Sequence, residues 1–352
     1  MRVLVIKTSS LGDVIHTLPA LTDAGKAFPS IRFDWVVEEG FVDIPRWHPL
    51  VDRVMPVALR RWRKNLFSSR TRAEWRQFYQ VLREQEYDLV IDAQGLLKSA
   101  FVTRIARGET YSGLGWSSAR ESLASLFYRK KYAVAKGQHA VLRVRQLFAA
   151  ALGYELPSGV PQYGVDRSRL VATPEEPPYL VFLHGTTWKT KHWPEQHWME
   201  LVNIANQQGY GVKLLWGNAE EKERAERIAQ QSSQVLVLPR LGLMEIAQVL
   251  AGSEGIVAVD TGLGHLSAAL DVPTVSLYGP TNPILTGALG ESQVHLASAL
   301  SCAPCLSRKC KLYIQSSLKL ASPLYPPCLS GLVPAAVWAA LFALLPSGDS
   351  SL

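Results

Sequence analysis

Two kinds of apolar spacing alternate along this chain. Val3-Leu-Val-Ile6 is an unbroken apolar run, the pattern of a strand covered on both faces. Thr8-Ser-Ser-Leu-Gly-Asp13 follows as a turn, and Leu18, Leu21 and Ala24 then recur at helical spacing, which predicts one helix through Ala24. Arg32-Phe-Asp-Trp-Val-Val37 and Asp88-Leu-Val-Ile-Asp92 repeat the strand pattern. Strands alternating with helices predict a parallel sheet with helical cover.

Between residues 153 and 178 the texture changes, with Pro157, Pro161, Pro174, Pro177 and Pro178 set among Gly, Ser and Glu, as in a linker. A second series then begins. Tyr179-Leu-Val-Phe-Leu183 reads as a strand, and Trp193-Pro-Glu-Gln opens a helix with Pro194 at its first position. Gly211-Val-Lys-Leu-Leu-Trp216, Gly255-Ile-Val-Ala-Val259 and Pro273-Thr-Val-Ser-Leu-Tyr278 are further strands. The expectation is an α/β chain of two Rossmann-like units with parallel sheets facing across a central cleft. The first spans residues 1–160, the linker 161–178 and the second unit 179–330, with a closing helix and tail over 331–352.

Composition narrows this picture. A chain of 352 residues with 47% hydrophobic and 19% charged residues can build two cores, and is neither disordered nor a coiled coil. The net charge of +7 is uneven: residues 60–145 hold 18 Lys+Arg against 7 Asp+Glu, a surplus of 11, so the rest of the chain is acidic. An anionic partner for the first unit is implied. The N-terminus lacks the apolar core of a signal peptide. The longest apolar run, Leu332 to Leu345, is 14 residues with Pro334 inside it. That is short of the roughly 20 needed to span a bilayer. A cytoplasmic, reducing setting is therefore expected.

Three strand ends carry polar residues that a plain core does not require. In Lys7-Thr-Ser-Ser-Leu-Gly-Asp13 small residues leave backbone N–H groups open to a phosphate or sugar, and Asp13 stands at a helix start, where it could equally be an ordinary cap. The loop has neither GxGxxG nor Gly-Lys-Ser/Thr. In His184-Gly-Thr-Thr-Trp-Lys-Thr-Lys191, Thr186 and Thr187 can donate to a pyrophosphate while Lys189 or Lys191 neutralises it; a solvated loop is the plainer reading. Asp260-Thr-Gly-Leu-Gly-His265 offers glycines at a helix start and a carboxylate for sugar hydroxyls. After Trp216-Gly-Asn, any of Glu220, Glu221 or Glu223 could reach a ribose diol or simply be helix surface.

With these residues assembled, the sequence resembles glycosyltransferase family 9, the ADP-heptose:lipopolysaccharide heptosyltransferases, from Met1 to about Pro283. The likeness rests on Lys7-Thr-Ser-Ser-Leu-Gly-Asp-Val14, Phe33-Asp-Trp-Val-Val-Glu-Glu-Gly40 and Arg60-Arg-Trp-Arg-Lys64. It continues in Ile91-Asp-Ala-Gln-Gly95, Lys191-His-Trp-Pro194 and Asp260-Thr-Gly-Leu-Gly-His-Leu266. No single piece decides it; their order and intervals do. The resemblance implies a GT-B fold and an inverting transfer of heptose from ADP-L-glycero-D-manno-heptose to the Kdo of Kdo2-lipid A, at the inner face of the bacterial inner membrane. It implies Asp13 as general base, and Thr186, Thr187, Lys191, Glu221, Asp260, Thr261, Gly262, Leu263 and His265 around the donor. Ser10, Arg60, Arg61, Arg63, Lys64 and Arg120 would meet the anionic glycolipid.

Two rivals stand beside this reading. One is a second heptosyltransferase or another family member with the same donor; the other is a nucleotide-sugar or glycolipid binding protein without turnover. Nucleic acid is disfavoured, since the basic aromatic patch lies in an enzyme-like α/β unit without a recognised motif. No cofactor is required for the transfer. The cysteines are an addition to the shorter pattern that the motifs match, although cysteine-rich tails occur elsewhere in the family: Cys302, Cys305, Cys310 and Cys328 follow 301 residues with none. Their clustering allows a structural zinc or a cluster, and equally four reduced thiols.

Overall fold

The structure, a computed structural model, describes residues 1–65, 67–170, 177–230, 232–312 and 325–345. Residues 171–176 of the expected linker and the tail beyond Leu345 lie outside the described residues. The chain divides into two compact units, Met1–Val165 and Asp166–Leu352.

The first unit is built on β1 (Arg2–Ile6), β2 (Arg32–Glu38), β3 (Val51–Val57), β4 (Tyr87–Asp92), β5 (Gly108–Leu114) and β6 (Lys130–Tyr132). All neighbours pair in parallel, in the order β3-β2-β1-β4-β5-β6. Val3 through Ile6 are fully buried because β1 has a strand on either side and helices on both faces, which is why its sequence is a continuous apolar run. Edge strands read less clearly. β3 carries Pro56, tolerated at a sheet edge, and β6 is Lys-Lys-Tyr, whose charges blunt the opposite edge.

The single helix expected after the first turn is two, Leu11–Ile15 and Leu18–Ala27. Pro19 explains the break: it has no N–H to bond back to Ile15 and its ring crowds the preceding turn. The helix Ala140–Leu152 ends at Gly153, whose φ of 81° closes it in the left-handed region.

The second unit repeats the plan with β7 (Tyr179–Leu183), β8 (Gly211–Leu214), β9 (Val235–Val237), β10 (Gly255–Val259), β11 (Thr274–Tyr278) and β12 (Gln293–Ala297), ordered β12-β11-β10-β7-β8-β9 and parallel. Numbered within each unit, both sheets run 3-2-1-4-5-6, the Rossmann order. Pro194 takes the N-cap position of the helix Glu195–Gln207 rather than its first residue. Trp193 and Trp198 cross edge-to-face at 4.9 Å beside Phe182, and Trp193 Nε1 donates to Leu332 O at 2.9 Å. Val337 and Leu341 of the helix Pro334–Phe342 enter this same core. Truncating Trp198 to Ala would cost about 3–5 kcal/mol. Among the described residues no helix is long and apolar enough to cross a membrane.

Candidate functional site

In a doubly wound sheet the loops diverge where strand order reverses, and polar groups gather at the carboxyl ends there. In the first unit that point lies between β1 and β4. Lys7 follows β1 and donates from Nζ to Ala93 O at 2.8 Å. Gln94 Oε1 accepts from the Thr8 and Ser9 amides, each at 3.1 Å. Below them the buried Asp92 carboxylate accepts from the Gln94 and Gly95 amides, Ser99 Oγ and Tyr128 OH at 2.8, 3.0, 2.8 and 2.6 Å. Gly113 makes room for the Tyr128 ring, which a Cβ at that position would strike. The loops after β1 and β4 are thus one hydrogen-bonded body.

Asp13 stands on the helix that this body launches. Its Oδ2 accepts from Ser10 N at 2.7 Å and Ser10 Oγ at 2.9 Å, so it caps the helix as the plainer reading expected. Burial pushes the Asp13 carboxyl up, but the Lys7 ammonium, the Ser10 hydrogen bonds and Arg120 outweigh it and hold the pKa below the ordinary carboxylate range. Burial drives Lys7 the other way, below the usual lysine value, against the pull of Asp13 and Asp92. The result is an ionised carboxylate with the Lys7 amine buried behind it. Lys7 and Gln94 stand in the sequence as members of two separate motifs, and the contacts that join those motifs, Lys7 to Ala93 and Gln94 to Thr8, each span 86 positions.

The basic residues of the 60–64 segment divide by partner. Arg61 donates to Glu39 at 3.1 and 3.0 Å and to Glu74 at 2.7 Å, so its guanidinium is held within the unit. Glu74 also accepts from Trp62 Nε1 and Arg70, which with Arg61 hold its carboxyl down to about 2. The Arg60 guanidinium lies 5.6 Å from the Phe41 ring centroid, while Arg63, Lys64 and Arg120 are exposed. Arg120 is brought to the Lys7–Asp13 body by the loop whose Glu121 N donates to Gly95 O at 3.0 Å.

The corresponding reversal in the second unit lies between β7 and β10, and the same motif appears. Thr186, beyond β7, donates to Asp260 O at 3.0 Å beyond β10. The Asp260 carboxylate takes Lys191 Nζ and Thr281 Oγ1 on Oδ2, each at 2.6 Å. Lys191 also lies 4.6 Å from the Trp188 ring centroid, whereas Lys189 is exposed. Thr187 is exposed, and Thr261 is the N-cap residue of the helix Gly262–Ala269, with Leu263 half-buried and His265 buried in it. Of the three glutamates, Glu221 is the one turned to the strand ends. Its Oε2 accepts from Gly217 N at 2.7 Å, and a Cβ at Gly185 would come within 2.8 Å of its Cδ. His184 is fully buried, and desolvation lowers it to about 4, so it is neutral at pH 7. The array offers a cation, hydroxyls and backbone N–H groups for phosphates, and two carboxylates for sugar hydroxyls.

The four cysteines line one cavity of about 290 Å³ with Thr190, Gly279 and Pro280. The tetrahedral metal site that their spacing allowed is not assembled: among the described residues no three His, Cys, Asp or Glu side chains are grouped to hold a metal ion. The segment packs instead on the Lys191 loop, where Thr190 Oγ1 donates to Ser307 O at 2.9 Å. Burial raises the Cys328 thiol to about 11, so it is uncharged at neutral pH.

The model of glycosyltransferase family 9 (heptosyltransferase) matches residues 75–314. Lipopolysaccharide heptosyltransferase 1 of Pseudomonas aeruginosa is 63% identical over 88% of this chain and 87% of its own. The protein of that name from Escherichia coli K12 is 54% identical over 84% of this chain and 92% of its own. The solved structure of E. coli heptosyltransferase WaaC with ADP-2-deoxy-2-fluoro heptose superposes with a TM-score of 0.82 at 46% identity, over 97% of this chain and 99% of that one.

Proposed function

The chain belongs to glycosyltransferase family 9, the heptosyltransferases, and we propose that it moves one heptose from ADP-L-glycero-D-manno-heptose to a Kdo hydroxyl of Kdo2-lipid A, with inversion, in lipopolysaccharide core synthesis. The observation that carries this is the Lys191–Asp260–Thr186 array at the strand reversal of the second sheet. It has the charge and donors for a sugar pyrophosphate, and the E. coli relative carries a fluorinated ADP-heptose in its solved structure. The membrane-embedded acceptor would be met from the cytoplasmic side, with the basic excess of residues 60–145 drawing its phosphates and carboxylates.

In this reading Glu221 takes the ribose hydroxyls, while Lys191, Thr186, Thr187 and the N-terminal amides at Thr261 and Gly262 take the phosphates. Asp260 holds Lys191 at its post. The Kdo hydroxyl oxygen attacks the anomeric carbon as its proton passes to Asp13, and the bond from that carbon to the β-phosphate oxygen breaks with its electrons on ADP. Lys191 offsets the charge that grows there. A carboxylate held below its ordinary pKa is a weak base, so Asp13 contributes through placement as much as proton affinity. Arg63, Lys64 and Arg120, exposed in the first unit, suit the acceptor anions better than Arg61, which Glu39 and Glu74 occupy.

The test is direct incubation with ADP-heptose and Kdo2-lipid A, followed by mass spectrometry. A single added heptose is expected. Addition only to an acceptor already carrying one heptose would assign the chain to the second transfer instead.

A further inference from the structure

The first unit exposes apolar side chains in pairs on two elements that pack together. On the helix Leu97–Ile105, Ser99, Ala100, Val102 and Thr103 are buried while Leu97 and Phe101 are 41% and 49% exposed. In the 3-10 segment Ser122–Phe127, Leu123 and Leu126 are 51% and 64% exposed. The two elements close on each other through Ala100, Ala124 and Tyr128. Leu97 N donates to Glu121 Oε2 at 2.7 Å, which fixes the start of one beside the start of the other. Phe101 is further stacked on Trp75 of the helix Ser69–Leu82, at 6.0 Å and 20° between planes.

Scattered exposed leucines are ordinary on a protein surface. Paired ones on adjoining elements are not scattered. Cations outnumber acids around them. Lys98 and Arg104 lie on the exposed stripe of the first helix, and Arg72 and Arg76 are exposed on the helix that carries Trp75. Of the nearby acids, Glu74 is paired with Arg61 and Arg70, Glu121 accepts the neutral Leu97 N–H, and Glu38 lies within electrostatic reach of Lys98. An apolar patch with a basic surround matches a bilayer surface with acyl chains below and anionic headgroups above.

We propose that the face formed by the helix Leu97–Ile105 and the segment Ser122–Phe127 docks the protein on an anionic phospholipid surface, Leu97, Phe101, Leu123 and Leu126 entering the interface and Lys98 and Arg104 meeting headgroup phosphates. The inference rests on the proposed reading in one respect: that the acceptor is held in a membrane. It adds where the contact is made, and it assigns the four apolar residues to the lipid surface, apart from the sugar chemistry.

The test is co-sedimentation with vesicles of phosphatidylcholine, alone or mixed with phosphatidylglycerol, alongside heptose transfer to Kdo2-lipid A and to its deacylated, water-soluble form. The wild type should pellet with the mixed vesicles and not with phosphatidylcholine alone. Phe101→Ser with Leu126→Ser should weaken that partition by roughly tenfold or more. Lys98→Gln and Arg104→Gln should each weaken it by about fivefold. All of these variants should stay folded, Phe101→Ser losing only its stack on Trp75, and should keep the wild-type rate on the deacylated acceptor. Wild-type protein that ignores anionic vesicles, or variants that bind them as tightly, would overturn the proposal. So would conversion of an oligomer to a monomer with vesicle binding intact, since a second copy would then cover the face. Failure of the transfer reading would show separately, as absence of wild-type turnover on either acceptor.

Discussion

Lys191 Nζ and Asp260 Oδ2 are 2.6 Å apart, although their residues end two different loops of the second sheet. Both side chains are largely buried, at 14% and 10% exposed, so the pair is a fixed post rather than a surface contact. Lys191→Ala removes a charged donor from the phosphate position, a loss of about 1.5–3 kcal/mol. Calorimetry should then show ADP binding roughly ten- to a hundredfold weaker. Unchanged ADP affinity would remove Lys191 from the donor site.

Lys7 is expected to set the pH dependence of turnover. The active form of Asp13 is the carboxylate, so activity is present above its pKa and lost as pH falls through it. In the wild type that loss should fall below the ordinary carboxylate range, because Lys7, Ser10 and Arg120 together outweigh desolvation. Lys7→Met removes the cation and leaves burial less opposed, so the acid limb of kcat/KM should move to higher pH. Lys7→Arg should largely restore it. A limb that stays in place in Lys7→Met would make Lys7 a purely structural residue.

Why Asp13 was visible in the sequence and Lys7's part was not has a physical reason. A small-residue turn ending in a carboxylate is a local pattern, readable within seven positions. The contact of Lys7 with Ala93, and of Gln94 with Thr8 and Ser9, exists only because β1 and β4 are neighbours, which no local pattern states. The same contrast runs through the fold. Central strands such as Val3–Ile6 and Ile256–Val259 are apolar runs because both faces are covered. Edge strands such as Lys130–Tyr132, or Val51–Val57 with its proline, carry no such run and were not anticipated. The cysteine spacing allowed a metal shell or four reduced thiols; the four line a cavity beside the Lys191 loop, and among the described residues no three His, Cys, Asp or Glu side chains are grouped to hold a metal ion.

Gly185 should matter through Glu221. Its missing side chain leaves the space that the Glu221 carboxyl fills, and a Cβ there would sit 2.8 Å from Cδ and 3.1 Å from both oxygens. Gly185→Ala should displace a flexible side chain at little cost to stability, and it and Glu221→Gln should both weaken ADP binding. A variant that binds ADP normally would show that Glu221 need not stand at the strand ends.

The first unit has its own buried ion pair, Arg145 Nε to Asp23 Oδ2 at 2.5 Å, with both side chains about 5% exposed or less. Arg145 also donates to Pro157 O at 3.0 Å, so it ties the last helix of the unit both to its second helix and to the chain leaving it. Asp23→Ala strands a buried guanidinium and should lower unfolding free energy by about 3–5 kcal/mol in urea titration. A loss below about 1 kcal/mol would mean that the pair is solvated and worth no more than a surface bridge.

The central claim is that Asp13 takes the acceptor's proton while the second unit holds the donor. Asp13→Ala tests it when heptose transfer and calorimetric binding of ADP-heptose are measured on the same preparation. The account predicts that transfer falls by roughly 10²–10⁴-fold, the loss expected when a general base is removed, with donor affinity unchanged. Near-normal transfer in Asp13→Ala would contradict it.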